Sequence, residues 1–204
     1  SNFVFVKNLT KSISMIKNKI RLIHISTDQV YNGRGKHDEK HVQPINYYGL
    51  SKLKGERAIK KIPSIILRTN FFGKTKKKEN LCNWIFKNVK NKKKINTFKN
   101  IYFSPLHITT LIKIINKILK HNSAVGVFNL GTKNKISKAK FAENFIKDLG
   151  LDMSLLNKTN YSNNHLYAKR PLDMSMKINK FENYFKIKLP TVKTEMSKLI
   201  KEYK

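Results

Sequence analysis

A tyrosine and a lysine lie four residues apart and are preceded by hydroxyl side chains. These are the residues of the sequence that are best suited to chemistry. Tyr48 and Lys52 occupy positions i and i+4 of the segment PINYYGLSKLKGE. On a helix this spacing puts both side chains on one face, where the ammonium favours the ionised phenol. If Thr27 hydrogen-bonds the same substrate oxygen, the three residues form an acid/base unit that interconverts a carbonyl and an alcohol, with hydride from a nicotinamide.

A buried strand and a helix must bring these residues together. The apolar run at residues 22–25 is typical of a parallel strand buried on both faces. Reactive groups of an open α/β sheet gather at the carboxyl ends of its strands. This strand ends in two hydroxyl side chains and a carboxylate, which are Ser26, Thr27 and Asp28. The segment Pro-Ile-Asn at 44–46 then predicts a helix that begins near Tyr47.

The tyrosine and lysine pair is a weak signal by itself, because the chain contains a second one. Tyr184 and Lys188 have the same spacing, but no strand with a hydroxyl pair precedes them. On spacing alone, an amphipathic tyrosine on a lysine-rich surface helix explains Tyr48 equally well. The order of the surrounding segments is what favours chemistry.

Three segments in one order, ISTDQVYNG, YYGLSKLKGE and SIILRTNFFG, closely resemble the extended short-chain dehydrogenase/reductase family and its dTDP-4-dehydrorhamnose reductase branch. The later segments IYFSPLHITTL, GVFNLGTKNKISKAKFAENF and AKRPLDMSM also resemble that branch. The resemblance implies an α/β fold, with a partial Rossmann-type parallel sheet that lacks its N-terminal βαβ units and a smaller C-terminal α/β substrate lobe. It places residues 1–75 in the Rossmann domain and 76–204 mostly in the substrate lobe, with some segments returning to the sheet.

The resemblance also assigns roles to individual residues. It implies that the catalytic residues are Thr27, Tyr48 and Lys52, with Tyr48 as the proton donor. It implies cofactor contacts by Ser26, Tyr48, Lys52, Thr69 and Asn70. It implies substrate contacts by Asp28, Gln29, Phe71 and Arg170. Without the resemblance, Asn70 is equally well a turn residue, Phe71 a core aromatic and Arg170 a surface residue.

The implied reaction is the reduction of a 4-keto sugar nucleotide by NADPH or NADH, as in the biosynthesis of dTDP-rhamnose and cell-surface polysaccharides. Two alternatives stay open at this point. One is a sugar-nucleotide epimerase or dehydratase of the same family. The other is a non-catalytic regulatory or partner-binding subunit with this fold, against which the joint presence of Thr27, Tyr48 and Lys52 weighs.

The charge of the chain would normally suggest a nucleic-acid partner. There are 43 basic and 12 acidic residues, which give a formal net charge of +31. The lysines are spread over the whole chain, however, and the aromatic residues lie mostly in apolar runs rather than between basic residues. We therefore expect a sugar-nucleotide substrate and no main function with nucleic acid, while a homodimer is left open.

Cysteine, histidine and hydropathy patterns exclude several classes of site. Cys82 is the single cysteine and lies in the apolar segment LCNWIF, which favours a buried apolar role. His37 and His41 are four residues apart in a loop that does not look helical, so we expect solvated residues and no metal site. No apolar run approaches about 18 residues and no signal peptide pattern occurs, so we expect a soluble, cytoplasmic protein without membrane contact.

The glycine-rich turn that binds the cofactor diphosphate in this family does not occur in the sequence. None of the eight glycines forms a G-x-x-G-x-x-G pattern, and the chain begins with Ser1 instead of Met. We therefore expect the C-terminal two-thirds or so of a longer reductase, or a truncated product with weak cofactor binding. The activity of the chain alone stays open.

Apolar periodicity predicts the remaining elements that frame these residues. Helices are predicted at 9–20, 81–89, 108–119, 137–149 and 191–203, and strands at 64–69, 94–98 and 125–130. In the first helix, Leu9, Ile13, Ile16 and Ile20 would share the buried side.

Overall fold

Helices and strands alternate along the chain in the computed structural model, which describes residues 2–17, 20–59, 62–76, 79–121, 123–162 and 169–204. The helices are α1 (Val4–Ser14), α2 (Tyr47–Ile59), α3 (Leu81–Lys90), α4 (Ile108–Ile118), α5 (Lys138–Asp148), α6 (Asn179–Phe185) and α7 (Val192–Tyr203). The strands are β1 (Leu22–Thr27), β2 (Ser64–Thr69), β3 (Phe71–Phe72), β4 (Ile95–Phe98), β5 (Tyr102–Phe103), β6 (Leu106–His107), β7 (Gly126–Leu130), β8 (Ile136–Ser137) and β9 (Leu156–Thr159).

Three parallel strands form the sheet that carries the site, in the order β1, β2, β7. Thr27 pairs with Thr69, and Thr69 pairs with Leu130, so the carboxyl ends of the three strands are level. The central strand β2 is buried along its whole length. In the part of the chain that the structure describes, β1 is an edge strand, and its first four residues are only partly buried. The predicted α/β fold with a parallel sheet is confirmed.

Helices cover both faces of this sheet. On one face, Ile65 and Leu67 of β2 pack in a core with residues of α4 and α6. On the other face, Ile66 packs with Val6 of α1 and Ile59 of α2. Neighbouring residues of a strand point to opposite faces, and each face here is covered. This double burial explains why SIILRT is apolar without alternation.

A second apolar core joins α3, α5 and α7 beside β4. It contains Ile85 of α3, Phe141 and Phe145 of α5, and Leu199 of α7, all of which are fully buried. The strand β3 follows β2 after one residue and pairs with β6, and its Phe72 lies in this second core. The end of the sheet is therefore tied directly to the second core.

The first helix differs from its prediction. The structure has α1 at Val4–Ser14 instead of 9–20, and Ile16 and Ile20 are exposed. The buried side of α1 is formed by Val6 and Thr10, because the helix packs on α2 next to Gly55. Tertiary packing therefore determines where this helix begins and ends, and the apolar spacing at 9–20 does not. The short elements α6 and β9 were not predicted.

No helix among the described residues is both long and apolar enough to cross a bilayer.

His37 and Cys82 both contact other parts of the protein. His37 stacks on Tyr31 with ring centroids 4.9 Å apart, and its Nε2 lies 2.8 Å from the carbonyl oxygen of Asp173. Cys82 is 1% exposed, and burial raises the pKa of its thiol to about 12, which fits an apolar role.

Candidate active site

The carboxyl end of β1 holds a hydroxyl group at the edge of the sheet. Thr27 Oγ1 accepts a hydrogen bond from the backbone N–H of Gln29 at 3.2 Å. It also donates to Asp28 Oδ1 at 3.3 Å, and both side chains are buried. A 3₁₀ turn at 28–30 follows at once. The turn thus holds the Thr27 hydroxyl at the end of β1.

The first turn of α2 lies directly against this 3₁₀ turn, because Gly49 has no side chain. A Cβ at Gly49 would lie 2.2 Å from the carbonyl oxygen of Gln29. The side chain of Asn46 forms hydrogen bonds with both segments. Its Oδ1 accepts from the Gly49 backbone N–H at 2.8 Å, and its Nδ2 donates to Gln29 Oε1 at 3.0 Å. Asn46 is thus a helix cap that also holds Tyr48 near the end of β1.

We expect Gly49→Ala to destabilise the protein by about 1–3 kcal/mol, because the added methyl group overlaps a backbone carbonyl that cannot move away easily. Alanine would otherwise favour a helix interior. Gly55→Ala, in the same helix, is the matched control, since its Cβ would meet its nearest atom at 3.1 Å. Urea unfolding measures both variants. Equal stabilities for the two variants would show that the approach of α2 to Gln29 is not a tight contact.

Tyr48 and Lys52 lie one turn apart on α2, next to the open edge of β1. Lys52 Nζ donates to the carbonyl oxygen of Ile25 at 2.6 Å, which ties this side chain to the strand. Burial lowers the pKa of Lys52, while the negative charge of Glu56 opposes this shift. Tyr48 is 46% exposed, and its hydroxyl has no hydrogen-bond partner among the described residues. The phenol is therefore available to a ligand.

Ser26 has a different environment from Thr27, since neighbouring residues of a strand face opposite sides of the sheet. Its hydroxyl donates to Glu56 of α2. Glu56 in turn forms a two-bond ion pair with Arg68 of β2, with Arg68 Nη2 at 2.6 Å from Oε2 and Nε at 3.0 Å from Oε1. Arg68 also donates to the Tyr31 hydroxyl at 2.9 Å. The side chain of Ser26 thus belongs to a buried network beneath the site.

The end of β2 adds polar groups to the end of β1. Asn70 Nδ2 donates to Asp28 Oδ2 at 2.9 Å. Asp28 has no exposed surface, and this burial raises the pKa of its carboxyl group to about 6, although hydrogen bonds from Asn70 and Thr27 oppose the shift. Thr69 is buried, whereas Phe71 is 49% exposed. Asp28 and Asn70 therefore form a hydrogen-bonded polar pair just after β1 and β2, and the exposed Phe71 follows Asn70 in the chain.

The raised pKa of Asp28 predicts a specific dependence of stability on pH. The folded state holds this proton more tightly than the unfolded state, so the contribution of Asp28 to stability is fully present below about pH 4 and is lost as the pH rises through about 6. Asp28→Asn removes this contribution. We expect the difference in unfolding free energy between wild type and variant to change by about 2–3 kcal/mol over this window, as measured by urea titrations at several pH values. Parallel pH profiles of the unfolding free energy for wild type and variant would contradict this prediction.

The segment at 169–170, which is distant in the sequence, contacts the site through Asn46. The same Nδ2 that contacts Gln29 also donates to the carbonyl oxygen of Lys169 at 3.1 Å. The next residue, Arg170, is exposed and forms no hydrogen bond with another described residue. Ala168, which belongs to the AKRP segment, lies outside the described residues. The structure thus brings the end of β1, the start of α2 and the Arg170 segment together.

Lys138 is a candidate site residue that the sequence predictions did not include. It is the first residue of α5, after the N-cap Ser137, and its Nζ lies 3.4 Å from the centre of the Phe103 ring. Burial lowers its pKa to about 8, the nearby charge of Asp28 opposes this shift, and the charge of Arg170 adds to it. A lysine in the first turn of a helix is unfavourable next to the positive end of the helix dipole.

Glu56 and Arg68 were also missed, although a signal for them exists. A charged residue inside a buried strand needs a partner of opposite charge, because an unpaired buried charge is costly. Arg68 interrupts the apolar run SIILRT, and Glu56 is an acidic residue in a lysine-rich helix. Pairing them was therefore possible once α2 and β2 were predicted to pack.

Comparison with known proteins finds relatives that are named for polysaccharide and glycan biosynthesis. The spore coat polysaccharide biosynthesis protein SpsK of Bacillus subtilis is 27% identical over 143 residues, which are 67% of this chain and 49% of SpsK. The probable low-salt glycan biosynthesis reductase Agl14 of Haloferax volcanii is 23% identical over 190 residues, which are 89% of this chain and 63% of Agl14. The chain thus spans about half to two-thirds of these relatives.

Among solved structures, dTDP-4-dehydrorhamnose reductase of Bacillus anthracis in complex with NADP superimposes with a TM-score of 0.85. The two proteins are 26% identical, and the match covers 98% of this chain and 72% of the reductase. The family model for the RmlD substrate binding domain matches residues 2–204. The chain therefore belongs to the RmlD substrate binding domain family.

Proposed function

We propose that this protein reduces a 4-keto sugar nucleotide with NADPH or NADH, in the manner of a dTDP-4-dehydrorhamnose reductase. The observation that carries the proposal is the packing of α2, which carries Tyr48 and Lys52, against the end of β1 that carries Thr27, with the Arg170 segment attached through Asn46. Relatives named as a reductase and as a polysaccharide biosynthesis protein support it. A cytoplasmic enzyme with a domain boundary near residue 75 is part of the same proposal.

The residues at the site fit the nicotinamide end of the cofactor. Lys52 uses one of its three N–H bonds for Ile25, which leaves donors for the ribose hydroxyls. The phenol of Tyr48 lies exposed beside the open edge of β1. When bound, the cofactor would supply the hydride. The sequence contains no G-x-x-G-x-x-G turn to bind its diphosphate.

Each residue of the site has a distinct role in the proposed reaction. Thr27 turns its hydroxyl proton from Asp28 to the carbonyl oxygen of the substrate, Tyr48 donates to the same oxygen, and the two hydrogen bonds orient it. Tyr48 donates its proton to this oxygen as the alcohol forms, and the positive charge of Lys52 stabilises the phenolate that remains. Gln29 binds a sugar hydroxyl, while the buried Asp28 positions Thr27 and Asn70 through its hydrogen bonds. Arg170 offers a planar guanidinium for two parallel hydrogen bonds to the diphosphate.

The direct test is to supply the full-length protein with a dTDP-linked 4-keto-6-deoxy sugar and either NADPH or NADH. We expect the cofactor absorbance to fall and a reduced sugar nucleotide to appear by mass spectrometry. An epimerised or dehydrated sugar without net oxidation of the cofactor would assign the protein to the alternative enzyme class. Absence of any turnover or sugar-nucleotide binding would favour the non-catalytic subunit.

A separate prediction concerns the chain of 204 residues by itself. We expect it to bind NADPH and NADH weakly and to self-associate, because the sequence contains no glycine-rich turn and, among the described residues, no strand pairs with the outer edge of β1. Isothermal titration with both cofactors and sedimentation at several concentrations test the two effects. A monodisperse monomer with low-micromolar affinity would mean that a different diphosphate site exists within these residues.

A further inference from the structure

Arg170 lies in a short segment whose backbone is held on both sides, while its own side chain is free. On one side, the carbonyl oxygen of Lys169 accepts a hydrogen bond from Asn46 Nδ2 at 3.1 Å. On the other side, the buried Pro171 fixes its own φ angle and favours an extended backbone at Arg170. The Arg170 side chain is exposed and forms no hydrogen bond with another described residue. The guanidinium is therefore available to a ligand, and its position depends on the contacts that hold the segment.

Asp173 connects the far end of this segment to the rest of the protein. Its carboxylate accepts a hydrogen bond from Lys135 Nζ at 2.6 Å and another from the backbone N–H of Ser175 at 2.9 Å. Gly35 lies so close that an added Cβ would come within 2.3 Å of Asp173 Oδ1. The carbonyl oxygen of Asp173 lies 2.8 Å from His37 Nε2. Two distant parts of the chain therefore meet at this one residue.

The contact between Lys135 and Asp173 is an ion pair. Burial would raise the pKa of the Asp173 carboxyl group, but hydrogen bonds from Lys135 and Ser175 outweigh burial and lower this pKa below its usual value. Lys135 also lies over the Tyr102 ring, with its Nζ 4.5 Å from the ring centre. The backbone N–H of Tyr102 donates to the carbonyl oxygen of Leu172 at 2.7 Å. The ion pair and β5 together hold the end of the Arg170 segment.

We propose that the ion pair of Lys135 with Asp173 positions Arg170 for the diphosphate of the sugar nucleotide. Arg170 and Asp173 are three residues apart, so a displaced carboxylate also displaces the guanidinium. A guanidinium forms two parallel hydrogen bonds to a phosphate only within a narrow range of positions. Lys135 and Asp173 are thus positioning residues that act on the ligand through Arg170. The inference rests on the proposed function, because it assumes that Arg170 binds the diphosphate.

The opposite charges of the two residues give a sharp test. If they acted only through their charges, Asp173→Asn would strengthen the binding of dTDP and Lys135→Met would weaken it, because dTDP is negatively charged. Positioning predicts that both variants weaken binding, since both release the same segment. Isothermal titration of the full-length protein with dTDP measures the affinities. We expect each variant to bind dTDP about 3- to 10-fold more weakly than wild type. Tighter binding by Asp173→Asn would overturn the inference.

Lys158→Met is the matched control for Lys135→Met. The Lys158 side chain is 43% exposed, against 42% for Lys135, and it pairs with Glu143 at 3.0 Å. This control should bind dTDP as wild type does. Arg170→Met should lower the affinity for dTDP about 10- to 100-fold, as for hydrogen bonds to a charged group.

The double variant of Lys135→Met with Arg170→Met shows whether the ion pair acts through Arg170. It should bind dTDP little more weakly than Arg170→Met alone. A further loss as large as that of Lys135→Met alone would mean that Lys135 contacts the ligand directly, and the inference would be wrong.

Steady-state kinetics give a second readout that a general loss of structure would not produce. Lys135→Met and Asp173→Asn should raise KM for the 4-keto sugar nucleotide and leave kcat within about twofold of wild type, because binding of the diphosphate is affected and proton donation by Tyr48 is not. A lower kcat with an unchanged KM would contradict the positioning role.

The outcomes separate the inference from the proposed function. If Arg170→Met weakens dTDP binding but both ion-pair variants bind dTDP as wild type does, the inference is wrong and the function stands. If Arg170→Met also binds dTDP as wild type does, the inference and the role of Arg170 are both wrong. If wild type binds neither dTDP nor any dTDP-sugar, the inference and the proposed function are both wrong.

Discussion

Tyr48→Phe is expected to lower the turnover of the 4-keto sugar nucleotide by about 10²- to 10⁴-fold, which is the usual contribution of a general acid. The change removes only the hydroxyl group, and this hydroxyl makes no hydrogen bond to another described residue. The fold and the affinity for the sugar nucleotide should therefore be nearly unchanged. Cofactor oxidation measures turnover in the full-length protein, and circular dichroism checks the fold.

Tyr184→Phe is the matched control, because Tyr184 has the same spacing to a lysine and a similar exposure of 49%. It lies on α6, where its ring packs against Phe128 with centroids 5.2 Å apart. That helix covers a face of the sheet and not its carboxyl end. We expect near-normal turnover. Similar losses in both tyrosine variants, or normal turnover in Tyr48→Phe, would show that Tyr48 is not the proton donor.

Loss of Glu56 is expected to produce the largest change in stability. Glu56→Ala should cost about 3–5 kcal/mol, because it leaves the charge of Arg68 without its partner in the interior. The Ser26 hydroxyl would lose its acceptor at the same time. Urea unfolding of wild type and variant measures the difference in unfolding free energy.

The control for Glu56 is a partly exposed ion pair on α5. Glu143→Ala removes the contacts to Lys140 and Lys158, which lie at 2.6 and 3.0 Å, and should cost less than about 1 kcal/mol because water screens these charges. A double variant, Glu56→Gln with Arg68→Met, should recover part of the stability lost in Glu56→Ala, since no charge is left unpaired. Equal costs for Glu56→Ala and Glu143→Ala would mean that the buried pair is solvated.

The sequence by itself determined the order of the candidate-site segments and the end of the sheet to which they lead. A strand of buried apolar residues can place its last residues only at its carboxyl end, and parallel strands align these ends. The run at 22–25 therefore located Thr27, and the run SIILRT located Asn70. The i, i+4 spacing of Tyr48 and Lys52 put both on α2, which begins at Tyr47 as predicted. These are local properties of periodicity and chain direction.

The tertiary structure alone decided which distant side chains share the site. Asn46 contacts the carbonyl oxygen of Lys169 across 123 residues, and Lys138 at the start of α5 lies over the Phe103 ring. The tertiary structure also brings the Ser26 hydroxyl into a hydrogen bond with Glu56 and determines the position of α1. The reason is physical: a hydrogen bond or charge interaction between distant segments depends on how helices pack on the sheet, and local residue patterns do not encode that packing.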